Sequence, residues 1–279
     1  MAVPKVAAIN DLSGLGKCSL TAAIPILSVC GVQAVPMPTA VLSNQTAFES
    51  YTGIDLSMDM PMIAEEWKKR KVSFDGIYTG YLSGVSQVEW VEQFMQEFAN
   101  PQTKIFVDPV LGDEGVYYRG FGDEMCQAMK KLCGKADVIT PNLTEAAFLL
   151  GEDYETLPRD KAGYAELCRA LSGGGARSVV LTGVSDGADT LGAAVFDRET
   201  GQVEFALTDR IPGEYHGTGD VFSSVLTGAL VRGRKLTEAA ALAAKFVRDC
   251  AERTFPQGTP MREGVDFEPL LYTIGADRL

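Results

Sequence analysis

One histidine, His216, stands in a chain of 279 residues, so no His-rich metal site can be assembled from it. The six cysteines are Cys18, Cys30, Cys126, Cys133, Cys168 and Cys250. None of them is paired at zinc-ligand spacing, and they read as separate buried thiols of a reducing compartment. Positive charge is also scarce, with 25 Lys and Arg against 37 Asp and Glu and a net charge of −12. That balance argues against nucleic acid and anionic membrane as partners, since both require a basic patch. The one basic run, Lys68-Lys69-Arg70-Lys71, ends a predicted helix, where the helix dipole favours it. Long apolar runs are missing too. Leu20 to Phe48 carries no charge, but Pro25, Gly31, Gln33, Pro36, Pro38, Ser43, Asn44 and Gln45 interrupt it, which excludes a membrane span. Met1 to Lys5 lacks the charged-then-apolar order of a signal peptide, so a cytoplasmic location is expected. There is no internal repeat, low-complexity tract or linker, and a single domain over 1–279 is expected.

What remains is an ordinary globular composition, 46% hydrophobic and 22% charged. Short apolar runs alternate with segments of helical spacing. Strands are predicted at Val6 to Ile9, Gln33 to Pro38, Ile77-Tyr78, Lys104 to Val107, Val138-Ile139 and Ser178 to Leu181. A hairpin is predicted from Thr190 to Asp197 and Gln202 to Leu207. Helices are predicted over Ser19 to Val29, around Met60, Ile63 and Trp67, around Val88, Val91 and Met95, around Met125 and Leu132, and twice after Asp220. Ser13 to Lys17 and Thr39 to Thr52 read as loops. The alternation predicts an α/β three-layer sandwich with a mostly parallel central sheet and helices on both faces.

The chemistry concentrates at His216-Gly217-Thr218-Gly219-Asp220, which runs straight into the apolar helical spacing of Val221, Phe222, Val225, Leu226, Ala229 and Leu230. A glycine-flanked turn opening a helix aims unpaired amides outward and forms an anion site with the dipole. Asp220 repels an anion, so it either caps the helix or takes a proton from a hydroxyl attacking a bound phosphate. Other polar residues sit just past predicted strand ends: Asn10-Asp11, Thr79-Gly80-Tyr81, Asp108, Asn142 with Glu145, and Thr182-Gly183. Ligands of open α/β sheets bind at that edge. Asp108 and Glu145 are carboxylates suited to a hard cation such as Mg²⁺, although Asp108 could simply end a strand before Pro109, and Asn142 and Thr144 could cap a helix with Glu145 in its first turn. Ser13-Gly14-Leu15-Gly16-Lys17 is no P-loop, because Cys18 replaces the required hydroxyl and Asp11 the first glycine.

The strings Ser-Asn-Gln-Thr at 43–46, Thr-Gly-Tyr at 79–81, Val-Asp-Pro-Val-Leu-Gly-Asp-Glu-Gly at 107–115, Thr-Pro-Asn-Leu-Thr-Glu-Ala at 140–146, Leu-Thr-Gly at 181–183 and Gly-Thr-Gly-Asp at 217–220 occur in one order over most of the chain. In that order they resemble the pyridoxal kinase branch of the ribokinase superfamily. The resemblance implies a ribokinase-like fold and an ATP-dependent kinase for the 5′-hydroxymethyl group of a B6 vitamer. It implies Asp220 as base and Gly217, Thr218 and Gly219 as the anion hole. Asp108 and Glu145 would serve Mg²⁺, and Asn142, Thr182 and Gly183 would lie along ATP. Asn10, Asp11, Thr46 and Tyr81 would meet the vitamer, and Gly112 to Gly122, with Asp113 and Gly115, would be a lid. K⁺ or Na⁺ as a further cofactor and a homodimer are also implied. The chain departs from the branch in having Asn10-Asp11 where Ser-His is usual, and Asp11 would suit a vitamer amine. Pro38 to Val41 and Gly14 to Gly16 are similar to hydroxymethylpyrimidine kinases, which leaves that activity, or a non-catalytic B6-binding protein, as alternatives.

Overall fold

The computed structural model describes residues 2–173 and 178–275. Its strands are β1 (Lys5–Leu15), β2 (Gln33–Asn44), β3 (Gly53–Asp55), β4 (Gly76–Thr79), β5 (Lys104–Val107), β6 (Gly112–Asp113), β7 (Val116–Tyr117), β8 (Val138–Ile139), β9 (Ser178–Val184), β10 (Thr190–Asp197) and β11 (Gln202–Asp209). Its helices are α1 (Ser19–Val29), α2 (Met60–Lys69), α3 (Val85–Phe98), α4 (Asp123–Cys133), α5 (Leu143–Leu150), α6 (Lys161–Gly173), α7 (Thr218–Val231) and α8 (Leu236–Thr254). Nine strands form one sheet in the order β11-β10-β9-β8-β5-β4-β1-β2-β3. The run from β2 through β9 is parallel, and β3, β10 and β11 add antiparallel edges.

Strand alternation splits the core in two. Ile9, Thr79, Val107, Ile139 and Val179 align as one row across the sheet. The four apolar members of that row pack with residues of α2 to α6. The preceding row, Ala8, Tyr78, Phe106 and Val138, packs on the opposite face with α1, α7 and α8. Both faces are therefore covered, as a parallel sheet requires. Helix α7 is buried on almost every side, from Val221 to Leu230, which fits a helix apolar all round. Burying its larger side chains contributes roughly 1.5–3 kcal/mol apiece, and this anchors the turn at its start.

Three sequence expectations need correction. β1 does not stop at Ile9 but continues through Asn10, Asp11 and the expected loop to Leu15. β2 likewise continues to Asn44, paired as far as Leu15 with Asn44. The extension lacks an apolar run because much of it lies outside the core; Leu15 and Val41 are exposed. Pro36 and Pro38 are tolerated inside β2 because β3 pairs only with Ala40, Val41 and Leu42, so a missing N–H can face an open edge. Helix α6 was not among the predicted elements. All six cysteines are free and buried, as expected. No described helix is long and apolar enough to cross a membrane.

Candidate active site

One residue beyond the Ile9–Val179 row, the alternation turns Asn10, Asp108 and Thr140 to the α7 face, with Gly80 between them. The ladder continues there through Gly80 N–H to Ile9 O (2.9 Å), Asp108 N–H to Thr79 O (2.9 Å) and Thr140 N–H to Val107 O (3.1 Å). Strands β4, β5 and β8 thus end, and β1 leaves the core, in a polar row, at the point where β1 leads to β2 on one side and β4 lies on the other. That is a topological switch point. The first turns of α7 lie over this row and bond to it. Asn10 Nδ2 donates to Asp220 Oδ1 at 3.0 Å. Ser223 Oγ donates to Asp108 Oδ2 at 3.0 Å and lies 3.1 Å from Thr140 Oγ1. Asp220 and Ser223 are one helical turn apart and face the sheet together.

Gly217 is the N-cap of α7, at φ +83°, and no side chain caps the helix. The capping alternative for Asp220 therefore falls, since its carboxylate turns to Asn10. A Cβ at position 217 would lie 2.3 Å from Lys17 O, so glycine is required there both by φ and by space. The first i→i−4 bond of α7 is Val221 N–H to Gly217 O (3.1 Å), which leaves the amides of Thr218, Gly219 and Asp220 ahead of the ladder. Gly219 is exposed, and a Cβ there would meet nothing within 4 Å. An anion has room at this turn.

Asp220 is half-buried. Burial pushes its carboxyl up to about 6, opposed by the backbone N–H of Ser19 and by Asn10, while the charge of Asp11 adds to the rise. Ser19 opens α1 at φ +49°, a strained value for a residue with a side chain, so Asp220 faces a second helix N-terminus besides its own. Asp108 is pushed up to about 7, first by burial and then by Asp220, with Ser223 and Thr140 opposing. Glu145 rises well above the usual carboxylate range through burial and the charge of Asp108. Its Oε2 accepts Asn142 N–H (2.8 Å) and its Oε1 accepts Leu111 N–H (3.2 Å). Asn142 Oδ1 accepts Glu145 N–H (2.8 Å), completing a capping box on α5. Capping is therefore real for Asn142 and Glu145, and it fixes Glu145 beside the loop that follows Asp108.

Among the described residues no group of three or more His, Cys, Asp or Glu is placed to hold an ion. Mg²⁺ does not need one, because it keeps several waters and takes one or two carboxylates. Asp108 and Glu145, buried and mutually repelling, are a donor pair of that kind. Their folded-state pKa values, with that of Asp220, lie above the unfolded ones. The stability Asp220 and Asp108 contribute is thus full below about pH 4 and is lost as pH rises through 6 to 7, and Glu145 acts in the same direction. Mg²⁺ should consequently raise Tm more at pH 8 than at pH 5, and Asp108→Asn should remove most of that difference. An equal gain at both pH values would separate these carboxylates from the metal.

The hairpin β6–β7 turns at Glu114 and Gly115, both at positive φ, in the expected lid. It rests on α5: Asn142 Nδ2 donates to Gly112 O (2.9 Å), Gly115 N–H donates to Thr144 Oγ1 (2.9 Å), and Tyr117 stacks on Phe148 at 3.9 Å. Asp113 is exposed on it. Thr182 N–H donates to Pro141 O (2.9 Å), which brings Thr182 and Gly183 beside Asn142. Tyr81 stacks on Phe121 at 5.7 Å, and its N–H reaches Asn10. Asp11 is buried and accepts Ser13 Oγ at 2.7 Å. Thr46 lies on an exposed turn past the end of β2, next to Gln45, whose side chain packs against Gly16. Ser223, Thr140 and Ser19 were missed, and Thr144, read as a cap, instead accepts from the lid at Gly115 N–H. A hydroxyl three residues after Asp220 on a helix was the available signal for Ser223. Lys17 pairs with Asp266 and Glu268, in keeping with the rejected P-loop.

A mostly parallel sheet covered on both faces, with carboxylates gathered at its strand ends under a glycine-flanked helix start, is the ribokinase-like kinase arrangement. The family profile of phosphomethylpyrimidine kinase matches residues 19–264. The chain is 31% identical over 257 residues to the pyridoxine/pyridoxal/pyridoxamine kinase of Bordetella pertussis, covering 87% of each. It superposes with TM-score 0.94 and 41% identity on a candidate phosphomethylpyrimidine kinase of Bacteroides thetaiotaomicron crystallised with pyridoxal, over 98% of this chain and 96% of that one. Pyridoxal kinase from Lactobacillus plantarum gives 0.88 and 33%, over 98% and 97%. The chain belongs to the phosphomethylpyrimidine kinase family, in its pyridoxal kinase branch.

Proposed function

We propose that this protein transfers the γ-phosphoryl group of ATP to the 5′-hydroxymethyl oxygen of a B6 vitamer. The observation that carries the reading is the bonded polar layer between the sheet and α7, with Asp220 in it one residue past an open anion turn. The hydroxyl oxygen attacks the terminal phosphorus, the bond to the ADP leaving oxygen breaks, and the hydroxyl proton passes to Asp220. A carboxylate base is sufficient because the transfer is loose and the alcohol need not ionise early. The amides of Gly217 to Asp220 receive the charge that develops on the phosphoryl oxygens, and they do so without reorganising. Mg²⁺, held by Asp108 and Glu145 through oxygen or water, would neutralise phosphate charge. Asn142, Thr182 and Gly183, drawn together past β8 and near the end of β9, would run along the nucleotide. The β6–β7 hairpin above them would exclude water that competes for the phosphoryl group.

A relative crystallised with pyridoxal and a relative acting on three vitamers favour a pyridine substrate, while the matched family carries the name of a pyrimidine one. One assay separates them: ATP-dependent phosphorylation of pyridoxal, pyridoxine, pyridoxamine and hydroxymethylpyrimidine with Mg²⁺ and K⁺. The reading expects the highest kcat/KM on a B6 vitamer. Preference for the pyrimidine would reassign the substrate, and no turnover on any of them would remove the kinase.

A further inference from the structure

We infer that Asn10 is a positioning residue for the transfer, fixing Asp220 so that its Oδ2 is the oxygen offered to the acceptor hydroxyl. This rests on Asp220 being the base. Asn10 is completely buried at the end of the core section of β1. Its Oδ1 accepts two backbone N–H groups, from Asp11 at 2.9 Å and from Tyr81 at 2.8 Å. Two donors on one amide atom settle which end of the side chain is oxygen. The NH₂ end is thereby forced towards α7, where it holds Asp220 Oδ1 at 3.0 Å.

The surroundings are shaped around that amide. A Cβ at position 80 would lie 2.3 Å from Asn10 Nδ2, so the glycine after Thr79 is the space the amide occupies. The register of β1 against β2 shifts just past Asn10, with the extra residue on β2 between Pro38 and Val41. Serine in this place is too short to span from the β4 turn to α7. The asparagine thus links three separate pieces of chain: β1, the Gly80-Tyr81 turn and the start of α7. Tyr81, whose ring stacks on Phe121 at the base of the lid segment, reports on the same oxygen. A displacement of the Tyr81 turn is passed to Asp220 through Asn10.

Asn10→Asp keeps an acceptor for both backbone amides but sets a second carboxyl against Asp220 in place of the donor, so the two repel or share a proton and Asp220 is no longer held. Its kcat should fall on the order of 10²-fold, the scale of a misplaced catalytic group, with KM for vitamer and for ATP little changed and the thermal midpoint lowered by the added buried carboxyl. If that variant does not fold, Asn10→Ser and Gly80→Ala, measured alongside, should show the same split. A raised KM for the vitamer with kcat unchanged would make Asn10 a substrate contact, and unchanged kcat and KM would make it structural; either overturns the inference. Asp220→Asn in the same series keeps the two claims apart. If it is inactive while the Asn10 variants are fully active, only the positioning role fails. If it is active, the base assignment itself fails.

Discussion

Asp220→Asn should fold normally, bind ATP and turn over about 10²–10⁴-fold more slowly than wild type, the range for loss of a general base. The argument is geometric before it is electrostatic. Asp220 lies in the third position of α7, held by Asn10 Nδ2 and facing the opening of α1. An asparagine side chain fits the same volume and can still accept from Asn10, so the fold has no reason to change. What it loses is the capacity to take a proton. The wild-type profile carries the same assignment. With the carboxyl pushed up to about 6 by burial, the reactive ionised form is depleted below that pH. kcat/KM should therefore rise with pH through about 6, and activity should be lost, not gained, on acidification. Turnover of the Asn variant near the wild-type level would contradict the role.

Gly219→Ala should be inactive and at least as stable as wild type, an uncommon combination. The residue lies in the first turn of α7 outside the left-handed region, and a Cβ there meets no protein atom within 4 Å. Replacing glycine by alanine at a compatible helical site stabilises by about 0.4–1 kcal/mol, chiefly by restricting the unfolded chain. The melting temperature should stay level or rise by a few degrees. The same methyl group, however, would stand where the anion approaches the amides. Losing one such donor contact costs about 10²–10³ in turnover, and displacing the phosphoryl group from the whole turn should cost at least that. Gly217→Ala is the contrast: φ +83° and a 2.3 Å approach to Lys17 O make it a folding defect. If Gly219→Ala kept full activity, the turn would not be the phosphate site.

The residues that meet past the strand ends were partly legible in the sequence, for physical reasons. Asn10, Gly80 and Asp108 could be recognised because each follows a short apolar run, and in-register parallel strands leave the core together. Gly217 to Asp220 stood out because glycine next to an apolar helical repeat has few other uses. The partners were hidden. Ser223 and Thr140 are single hydroxyls whose meaning depends on which helix crosses which strand, and nothing local encodes that. Asp220 read locally as a helix cap, and only the distant amide of Asn10 shows otherwise. The run of β1 and β2 on to Leu15 and Asn44 was hidden too, because Asn10, Asp11, Ser13 and Gly14 interrupt the apolar pattern of one strand and exposed Val41 and Ser43 that of the other.

A structure of the Asp220→Asn protein with ATP, Mg²⁺ and pyridoxine is the most direct test, because the slowed variant should hold all three together. The account predicts the terminal phosphoryl over the amides of residues 217–220 and the vitamer's hydroxymethyl oxygen within hydrogen-bond reach of side chain 220, about 2.6–3.2 Å. A nucleotide or vitamer seated elsewhere, or a side chain at 220 turned away from the hydroxymethyl group, would contradict it.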